Sequence, residues 1–285
     1  VIAQGDGPLS LSVLEDGSLS YDLNVSDPDS GDSAAWSLSV SATNGISSIA
    51  LATGILSYSP NADFNGSDSL TVLVTDGEGV TDSIVVNYTI SAVNDAPVIT
   101  QGNGPLSYTL NEDSNLTVDL NATDVEGDIL TWSVSADPSN GTASIASASG
   151  LLTYTPNADF DANDTLTILV TDGIATDSVL VNFNVTGVND SPTSISSTSN
   201  IVFSESEAVT SAIGEFTTMD PDTGDFHVFT LFDDNQSTDN AFFSIESNGT
   251  LRTAVLFDFE SNSSSYQIRL RATDSFGAFT DSLFS

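Results

Sequence analysis

The sequence predicts an all-β protein made of three tandem β-sandwiches of Greek-key type. Two observations lead to this prediction: apolar and polar residues alternate along short segments, and the chain repeats itself with a period of about 95 residues. Clusters of Gly, Asn, Asp and Pro interrupt the alternation every 8 to 15 residues or so, and no segment keeps a helical stripe for three turns. About seven short strands per period are typical of a sandwich.

The repeats set the expected domain boundaries at 1–95, 96–190 and 191–285. Three segments of the first repeat return in the second: 58–64 as 154–160, 74–77 as 170–173, and 93–97 as 188–192. The third repeat is more distant but keeps its acidic signals in the same order. Since Thr280-Asp-Ser282 answers Thr81-Asp-Ser83, we expect the sequence to stop within a last strand of the third repeat.

Within a repeat, the period of the apolar residues is two. Leu19, Tyr21 and Leu23 alternate with polar residues, and the same pattern covers 36–40, 70–74 and 84–90. This pattern indicates half-buried antiparallel strands. The aromatic residues Trp36, Trp132 and Phe229 fall at matching places, and we interpret them as core anchors rather than as platforms for sugar stacking.

The charge excludes several classes of function. The 285 residues include 40 acidic and 3 basic side chains, so the net charge is −37. Binding to nucleic acid needs cations that this chain lacks, and anionic lipid is disfavoured for the same reason. With no Cys there are no disulfides or thiolate sites. No stretch of 18 apolar residues and no signal peptide is visible, so we expect no membrane insertion.

The acidic residues recur in turns at the ends of the repeats. Each repeat has an early acidic pair, an Asp-x-acid turn, an Asp-Phe-x turn and a Thr-Asp after a strand. Turns are rich in Asp in any protein. Yet carboxylates that gather at one place destabilise a fold unless a cation intervenes, and Ca²⁺ accepts six to eight oxygens in irregular geometry. The recurrence in the divergent third repeat favours calcium as the bound ion.

This series of motifs resembles the calcium motifs of cadherin repeats. The Asn-Asp-Ala-Pro linker at 94–97 and the Tyr-x-Pro-Asn-Ala-Asp-Phe segments are similar to bacterial cadherin-like, tandem-95 modules of large surface adhesins. The resemblance covers all three repeats and implies ions shared between consecutive modules. Ala92 and Gly187 stand where vertebrate linkers begin with Asp, and Asn65 where Glu is usual, which implies fewer ions at the first junction.

Carried over to this sequence, the motifs give two complete sites and two half-sites. The first junction would use Glu15, Asp63, Asn65, Asn94, Asp95, Asp124, Glu126 and Asp172. The second would use Glu112, Asp159, Asp161, Asn189, Asp190, Asp220, Asp222 and Asp274. The half-sites would be Asp27, Asp29 and Asp76, facing a preceding module, and Glu205, Asp258 and Glu260, facing a following one. Participation of Asp16, Asp113 and Glu207 stays open.

These expectations favour a structural function over an enzymatic one. The only His, His227, lies close to an acidic turn, which fits a strand-end histidine with a carboxylate neighbour better than a catalytic base. We therefore expect no catalytic residues and a calcium-rigidified spacer of an extracellular bacterial adhesin, with modules of about 35 Å each. The alternative is a module that binds carbohydrate or its own kind. The third repeat is the candidate because it carries the Arg residues and Phe242-Phe243.

Overall fold

The structure is a computed structural model that describes residues 1–27, 33–102, 104–232, 239–258, 260, 263 and 265–285. The chain folds into two compact units. The first unit holds 1–100, 121–131 and 170–177, and the second holds 101–120, 132–169 and 178–285. Nearly all regular structure is β-strand, which confirms the predicted fold class.

The first unit contains a seven-stranded sandwich followed by two short strands. One sheet has the order β1-β7-β6-β3, the other has the order β2-β5-β4, and β8 pairs with β11. The strands are β1 (Leu9–Leu14), β2 (Leu19–Asp22), β3 (Ala35–Val40), β4 (Gly45–Ile49), β5 (Ile55–Pro60), β6 (Gly66–Thr75), β7 (Thr81–Ser91), β8 (Val98–Ile99) and β11 (Ala122–Thr123).

Four sheets lie wholly or mainly in the second unit, in the orders β12-β15-β16-β9, β10-β14-β13, β17-β18-β21-β20 and β19-β22-β23. Their first seven strands are β9 (Leu106–Asn111), β10 (Leu116–Asp119), β12 (Thr131–Ala136), β13 (Gly141–Ile145), β14 (Leu151–Pro156), β15 (Asn163–Thr171) and β16 (Thr176–Thr186). The last seven are β17 (Ser194–Ser197), β18 (Ala212–Met219), β19 (Val228–Leu231), β20 (Phe243–Ile245), β21 (Thr250–Thr253), β22 (Ile268–Thr273) and β23 (Phe279–Phe284). A single 3₁₀ turn covers Asn240–Phe242, and no helix of the described chain reaches the length and hydropathy of a membrane span.

The cores follow the alternation seen in the sequence. Along β7, every second residue from Ile84 to Ile90 is buried, and these side chains pack with those of the facing sheet, such as Leu56 and Tyr58. Trp36, Trp132 and Phe229 are each at most 6% exposed, which confirms that they are core anchors.

A glycine lies against each of these three anchors. Gly54, Gly150 and Gly249 all have positive φ, and a Cβ at Gly54 would come within 2.6 Å of the Leu23 carbonyl oxygen and 2.8 Å of the Trp36 ring. Because no other residue fits this close approach without strain, the recurring order of anchor and glycine places the third repeat in the same fold as the first two.

The first strand of each of the first two sandwiches runs parallel to the last. Leu9 to Leu14 pair with Val86 to Ser91, and Leu106 to Asn111 pair with Val181 to Thr186. The sequence pattern predicts antiparallel strands, but these two pairs are parallel. Two parallel strands need a long connection between them, and the other strands of the sandwich form that connection.

Candidate metal centres

The first acidic cluster forms around the segment that follows β7, and all of its residues belong to the first unit. Glu15, at the end of β1, is 2% exposed. Its Oε1 accepts a hydrogen bond from the Val93 backbone N–H at 2.6 Å, and its Oε2 accepts one from Asn65 Nδ2 at 3.4 Å. The parallel pairing of β1 with β7 therefore brings an early glutamate to the linker.

Asn94 connects the linker to the acidic turns of the following repeat. Its Nδ2 donates to Asp172 Oδ2 and to the Asp95 carbonyl oxygen, both at 2.9 Å. The Asp172 carboxylate also accepts backbone hydrogen bonds from Ala175 at 2.7 Å and Ile174 at 2.6 Å. These donors, with Asn94, lower the pKa of Asp172, so this carboxylate is ionised and fixed in orientation.

Three carboxylates converge beside Asn94. Oxygens of Glu15, Asp95 and Glu126 lie within 4.8 Å of one another. None of the described residues donates a hydrogen bond to Asp95 Oδ2, Asp124 Oδ2 or Glu126 Oε1, although all three atoms are buried from solvent. Buried polar atoms are normally paired, so oxygens left without a donor require another partner.

The electrostatic environment of Asp95 also indicates that its carboxylate needs another partner. Burial, followed by the charges of Asp16, Asp63, Glu15 and Asp124, raises the pKa of Asp95. Asp16 and Asp63 therefore act on the same cluster, and Asp16, left open by the sequence, belongs to its electrostatic environment. Asp63 has a positive φ of 58°, and the equivalent Asp159 has one of 57°. Asp tolerates this conformation better than most residues.

The second cluster repeats this arrangement within the second unit. Glu112 is 4% exposed and accepts from the Val188 N–H at 2.7 Å. Asn189 Nδ2 donates to Asp274 Oδ2 at 2.9 Å, as Asn94 does to Asp172. The Asp190 N–H donates to Asp222 Oδ2 at 2.7 Å, and oxygens of Glu112, Asp190 and Asp222 lie within 4.8 Å of one another.

A cleft in this cluster is lined by carboxylates. Asp159 and Asp161 face it together with Glu112, Asp190 and Asp222. Asp190 Oδ2 is buried and receives no hydrogen bond from the described residues. Burial, and then the charges of Asp113, Asp159, Glu112 and Asp222, raises the pKa of Asp190. Asp161 stands where the first cluster has Asn65, so this cluster carries one more charge at that position.

The second cluster departs from the first around Asp220. His227 Nε2 lies 2.7 Å from Asp220 Oδ2, whereas the equivalent Asp124 Oδ2 has no partner among the described residues. Asp220 also forms a group with Asp225 and Asp274, whose oxygens lie within 4.8 Å of one another. Burial acts to raise the pKa of Asp274, but hydrogen bonds from Asn189 and three backbone N–H groups outweigh it and lower that pKa.

The described residues of the predicted half-sites form one group in each unit. Asp27 and Asp76 line one cleft at the start of the first unit, and Asp76 Oδ1 accepts from the Val80 N–H at 2.8 Å. Asp29 lies outside the described residues. Oxygens of Glu205, Asp258 and Glu260 come within 4.8 Å of one another, with all three side chains exposed.

Sequence reasoning missed a second use of acidic residues inside the sandwiches. Asp68 is 9% exposed and accepts from the Tyr58 hydroxyl at 2.9 Å and from the backbone N–H groups of Thr43, Asn44 and Ser69. Asp164 repeats this role with Tyr154 at 3.0 Å. The signal was the return of Asp68 as Asp164, 96 residues later, inside a strand. These carboxylates have their donors and stabilise the fold.

The donor sets at the two clusters fit a hard divalent cation. The possible metal ligands are carboxylate and amide oxygens, with no thiolate, and some of them are buried oxygens that receive no hydrogen bond from the residues the structure describes. Ca²⁺ takes such ligands and tolerates irregular geometry, whereas Mg²⁺ keeps several of its waters. Glu15, Asp95, Asp124 and Glu126 would hold an ion in the first cluster, and Glu112, Asp190 and Asp222 in the second.

Replacing Asp95 with Asn should have opposite effects with and without calcium. Because the pKa of Asp95 is raised, its ionisation costs free energy of folding, and stability falls as the pH rises through that raised pKa. We expect Asp95→Asn to raise the melting temperature by a few degrees at pH 7 in chelator and to reduce the gain on adding calcium. Thermal melts of both proteins check this, with exposed Asp137→Asn as the control. A lower melting temperature in chelator would contradict it.

The features that suggested a carbohydrate site in the third repeat have structural partners. Phe243 is 7% exposed and packs in the core with Phe257. Arg252 pairs with Glu246 at 2.7 Å, and Arg271 pairs with Asp281 at 2.8 Å and lies 3.5 Å from the centre of the Phe279 ring. These residues give no support to a carbohydrate site.

Comparison with known proteins agrees with this architecture. Residues 94–187 match the family model of the bacterial cadherin-like domain, and residues 2–89 match that of a bacterial Ig domain. No curated protein matches the sequence.

Solved cadherin structures are similar in fold. Mouse Cadherin-23 EC22-24 matches with a TM-score of 0.66 and 17% identity over 98% of this chain and 95% of that chain. Human CDH23 EC21-23 matches with a TM-score of 0.61 and 16% identity over 98% and 99% of the two chains. Protocadherin Gamma B2 extracellular cadherin domains 1-5 match with a TM-score of 0.64 and 17% identity over 99% of this chain, which spans 58% of that longer one.

Proposed function

We propose, from the matches of residues 94–187 to the bacterial cadherin-like domain and of residues 2–89 to a bacterial Ig domain, that the chain is a calcium-rigidified spacer of an extracellular bacterial adhesin. The role is structural, with no catalytic step. In this proposal the modules are 1–95, 96–190 and 191–285, and an ion at each linker fixes the angle between consecutive modules. The buried oxygens of Asp95, Asp124 and Glu126, which receive no hydrogen bond from the described part of the chain, carry the proposal most directly.

Electrostatics supplies the physical reason. Without an ion, the first cluster holds the mutually repelling charges of Glu15, Asp63, Asp95 and Asp124 around one linker. Domains joined by a short linker move relative to each other by default. A cation would turn this repulsion into a cross-link between the end of one module and the start of the next, because the same ion contacts carboxylates from both.

The expected affinity agrees with an extracellular location. Extracellular calcium modules bind with dissociation constants of about 0.1 to 1 mM, which are filled outside a cell and not in the cytosol. Because the carboxylate ligands come together only as the chain folds, calcium binding stabilises the folded state where calcium is present. The carboxylate charge that destabilises the clusters in the cytosol would then bind calcium outside the cell and make the linkers rigid there.

A double substitution tests the position of the ion. Asp124→Asn with Glu126→Gln keeps the side-chain shapes and removes two charges from the first cluster. We expect calorimetric titration with calcium to lose the sites of the first cluster and keep those of the second. Small-angle scattering should show a calcium-dependent narrowing of the distance distribution in the natural protein and a smaller one in the variant.

The matched control is Asp6→Asn with Asp137→Asn, which removes two charges from exposed positions outside the clusters. It should leave the calcium stoichiometry and the scattering unchanged. Full calcium binding by the Asp124→Asn and Glu126→Gln protein would show that the ion lies elsewhere. Binding without any change in scattering would keep the calcium sites and remove the spacer mechanism.

A further inference from the structure

The two acidic clusters differ at one aspartate. Asp124 and Asp220 occupy matching places in their repeats, and each accepts one backbone hydrogen bond, from the Asp128 N–H at 3.1 Å and from the Asp222 N–H at 3.0 Å. Asp124 Oδ2 receives no hydrogen bond from any residue that the structure describes, whereas Asp220 Oδ2 lies 2.7 Å from His227 Nε2. The histidine therefore gives Asp220 a partner that Asp124 does not have among the described residues.

The contact between His227 and Asp220 is shielded from water. The Asp220 side chain is 4% exposed, and the His227 side chain is 14% exposed. An ionised carboxylate can only accept, so the ring nitrogen that faces it carries the hydrogen. Hydrogen bonds to a charged acceptor are among the stronger ones, and they gain further where water is largely excluded. Both oxygens of Asp220 are thus satisfied by the protein itself.

The place of His227 in the sandwich is occupied by an apolar residue in the other repeats. His227 comes two residues before the core anchor Phe229, and Leu130 comes two residues before the matching anchor Trp132. The first repeat has Ala34 at this place. The side chains of Leu and Ala cannot donate a hydrogen bond, so of the three repeats only the last has a donor here.

The unpaired oxygens of the two clusters follow this difference. In the first cluster, buried oxygens of Asp95, Asp124 and Glu126 receive no hydrogen bond from the described chain, and in the described part of the second cluster this holds for Asp190 alone. Each donor that the protein supplies to a carboxylate reduces its need for a cation. The additional charge of Asp161 acts in the opposite direction, but this side chain is exposed and water screens it.

We propose that His227 takes the place of a calcium contact at Asp220, so that the second cluster is partly ordered without calcium and binds it more weakly than it would with a leucine there. This inference rests on the proposed calcium function. Calcium takes oxygen ligands, so an ion at Asp220 must compete with the hydrogen bond from the imidazole. His227 is thus a positioning residue that acts through Asp220. The first cluster, in which Leu130 leaves Asp124 Oδ2 open, depends on the ion for its order.

His227→Leu gives the second cluster the residue that the first one has. It is made in a chain that also carries Asp124→Asn and Glu126→Gln, so that calorimetric titration reports on the second cluster. We expect the calcium affinity to rise by about tenfold or more, because Asp220 Oδ2 becomes available to the ion. In chelator the same variant should melt at a lower temperature, because this buried oxygen loses its donor. A histidine that only stabilised the fold would lower both quantities.

Leu130→His is the reverse test. In a chain that also carries Asp190→Asn and Asp222→Asn, it should lower the calcium affinity of the first cluster by about tenfold and raise the melting temperature in chelator. Circular dichroism shows that each variant is folded, and Leu130→His decides if His227→Leu does not fold. The matched control is Thr230→Leu, an exposed change close to His227 that should alter neither quantity.

The outcomes separate this inference from the proposed function. An unchanged or lower calcium affinity in folded His227→Leu protein, or an unchanged one in Leu130→His if that variant decides, overturns the role of His227 and leaves the calcium function in place. An equal rise in Thr230→Leu overturns it too, since the effect would then not pass through Asp220. Absence of calcium binding by the natural protein overturns both the inference and the proposed function.

Discussion

Adding 5 mM calcium to the chelated protein should raise its melting temperature by roughly 5 to 15 °C. Dissociation constants of about 0.1 to 1 mM give a stabilisation of about 1 to 2 kcal/mol per ion at this concentration. The melting temperature of a domain as long as one of these modules changes by about 4 to 8 °C for each kcal/mol of added stability. The effect is large because the ion also offsets the burial and the neighbouring charges that raise the pKa of Asp95 and Asp190.

The controls separate binding from screening. Potassium chloride at matched ionic strength screens exposed charges but does not supply a divalent ion for the buried oxygens of Asp95 and Glu126 to bind. Magnesium at 5 mM should give a smaller shift, because it gives up its waters reluctantly. Differential scanning calorimetry measures all three salts. Equal melting in chelator and in calcium would remove the calcium proposal, and an equal shift with potassium would reduce it to screening.

Asp68→Asn should destabilise the first sandwich by about 3 kcal/mol, with or without calcium. The Asp68 carboxylate accepts from Tyr58 at 2.9 Å and from the backbone N–H groups of Thr43 and Asn44 at 3.1 and 2.9 Å. An amide places donors against donors, and each buried group left unpaired costs about 1 to 3 kcal/mol. Urea unfolding followed by Trp36 and Trp132 fluorescence measures the loss.

The pH dependence gives an independent check on Asp68. Burial acts to raise its pKa, but hydrogen bonds from Asn44, Thr43, Ser69 and Tyr58 outweigh this and lower it. Its contribution to stability is therefore present above the ordinary Asp pKa and is lost as the pH falls through the lowered one. Asp68→Asn should flatten this acid limb of the stability curve, while exposed Asp6→Asn should leave it unchanged. An Asp68→Asn protein as stable as the natural one would show that the carboxylate is not needed.

The sequence is sufficient to predict the sandwiches and the location of the acidic clusters. The period-two pattern predicts strands such as β6 and β7, and the recurrence of Asn94 and Asp95 as Asn189 and Asp190 predicts that the linkers carry the charge. In the structure these residues lie beside Glu15 and Glu112. Their role as calcium ligands stays a prediction that the titrations above address.

Other features depend on tertiary contacts that a sequence pattern does not reveal. Asp68 stands between two serines at the start of a strand and has the pattern of a solvated face, yet its partners come from a loop 24 residues earlier. The parallel pairing of β1 with β7 joins segments more than 70 residues apart. For His227, the sequence predicts a carboxylate neighbour from the acidic turn near Asp225. The conformation of this turn places Asp220 in contact with the histidine, which the sequence pattern does not reveal.

The placement of the three arginines affects how the chain withstands proteases. With no lysine in the sequence, Arg252, Arg269 and Arg271 are the only residues after which trypsin-like enzymes cut. All three lie in β21 and β22, which are interior strands with a hydrogen-bonded neighbour on each side. Cleavage needs an extended, unpaired backbone, so digestion at these bonds must wait for the last sandwich to open. Against trypsin-like enzymes, the chain would therefore stay intact for as long as that sandwich stays folded.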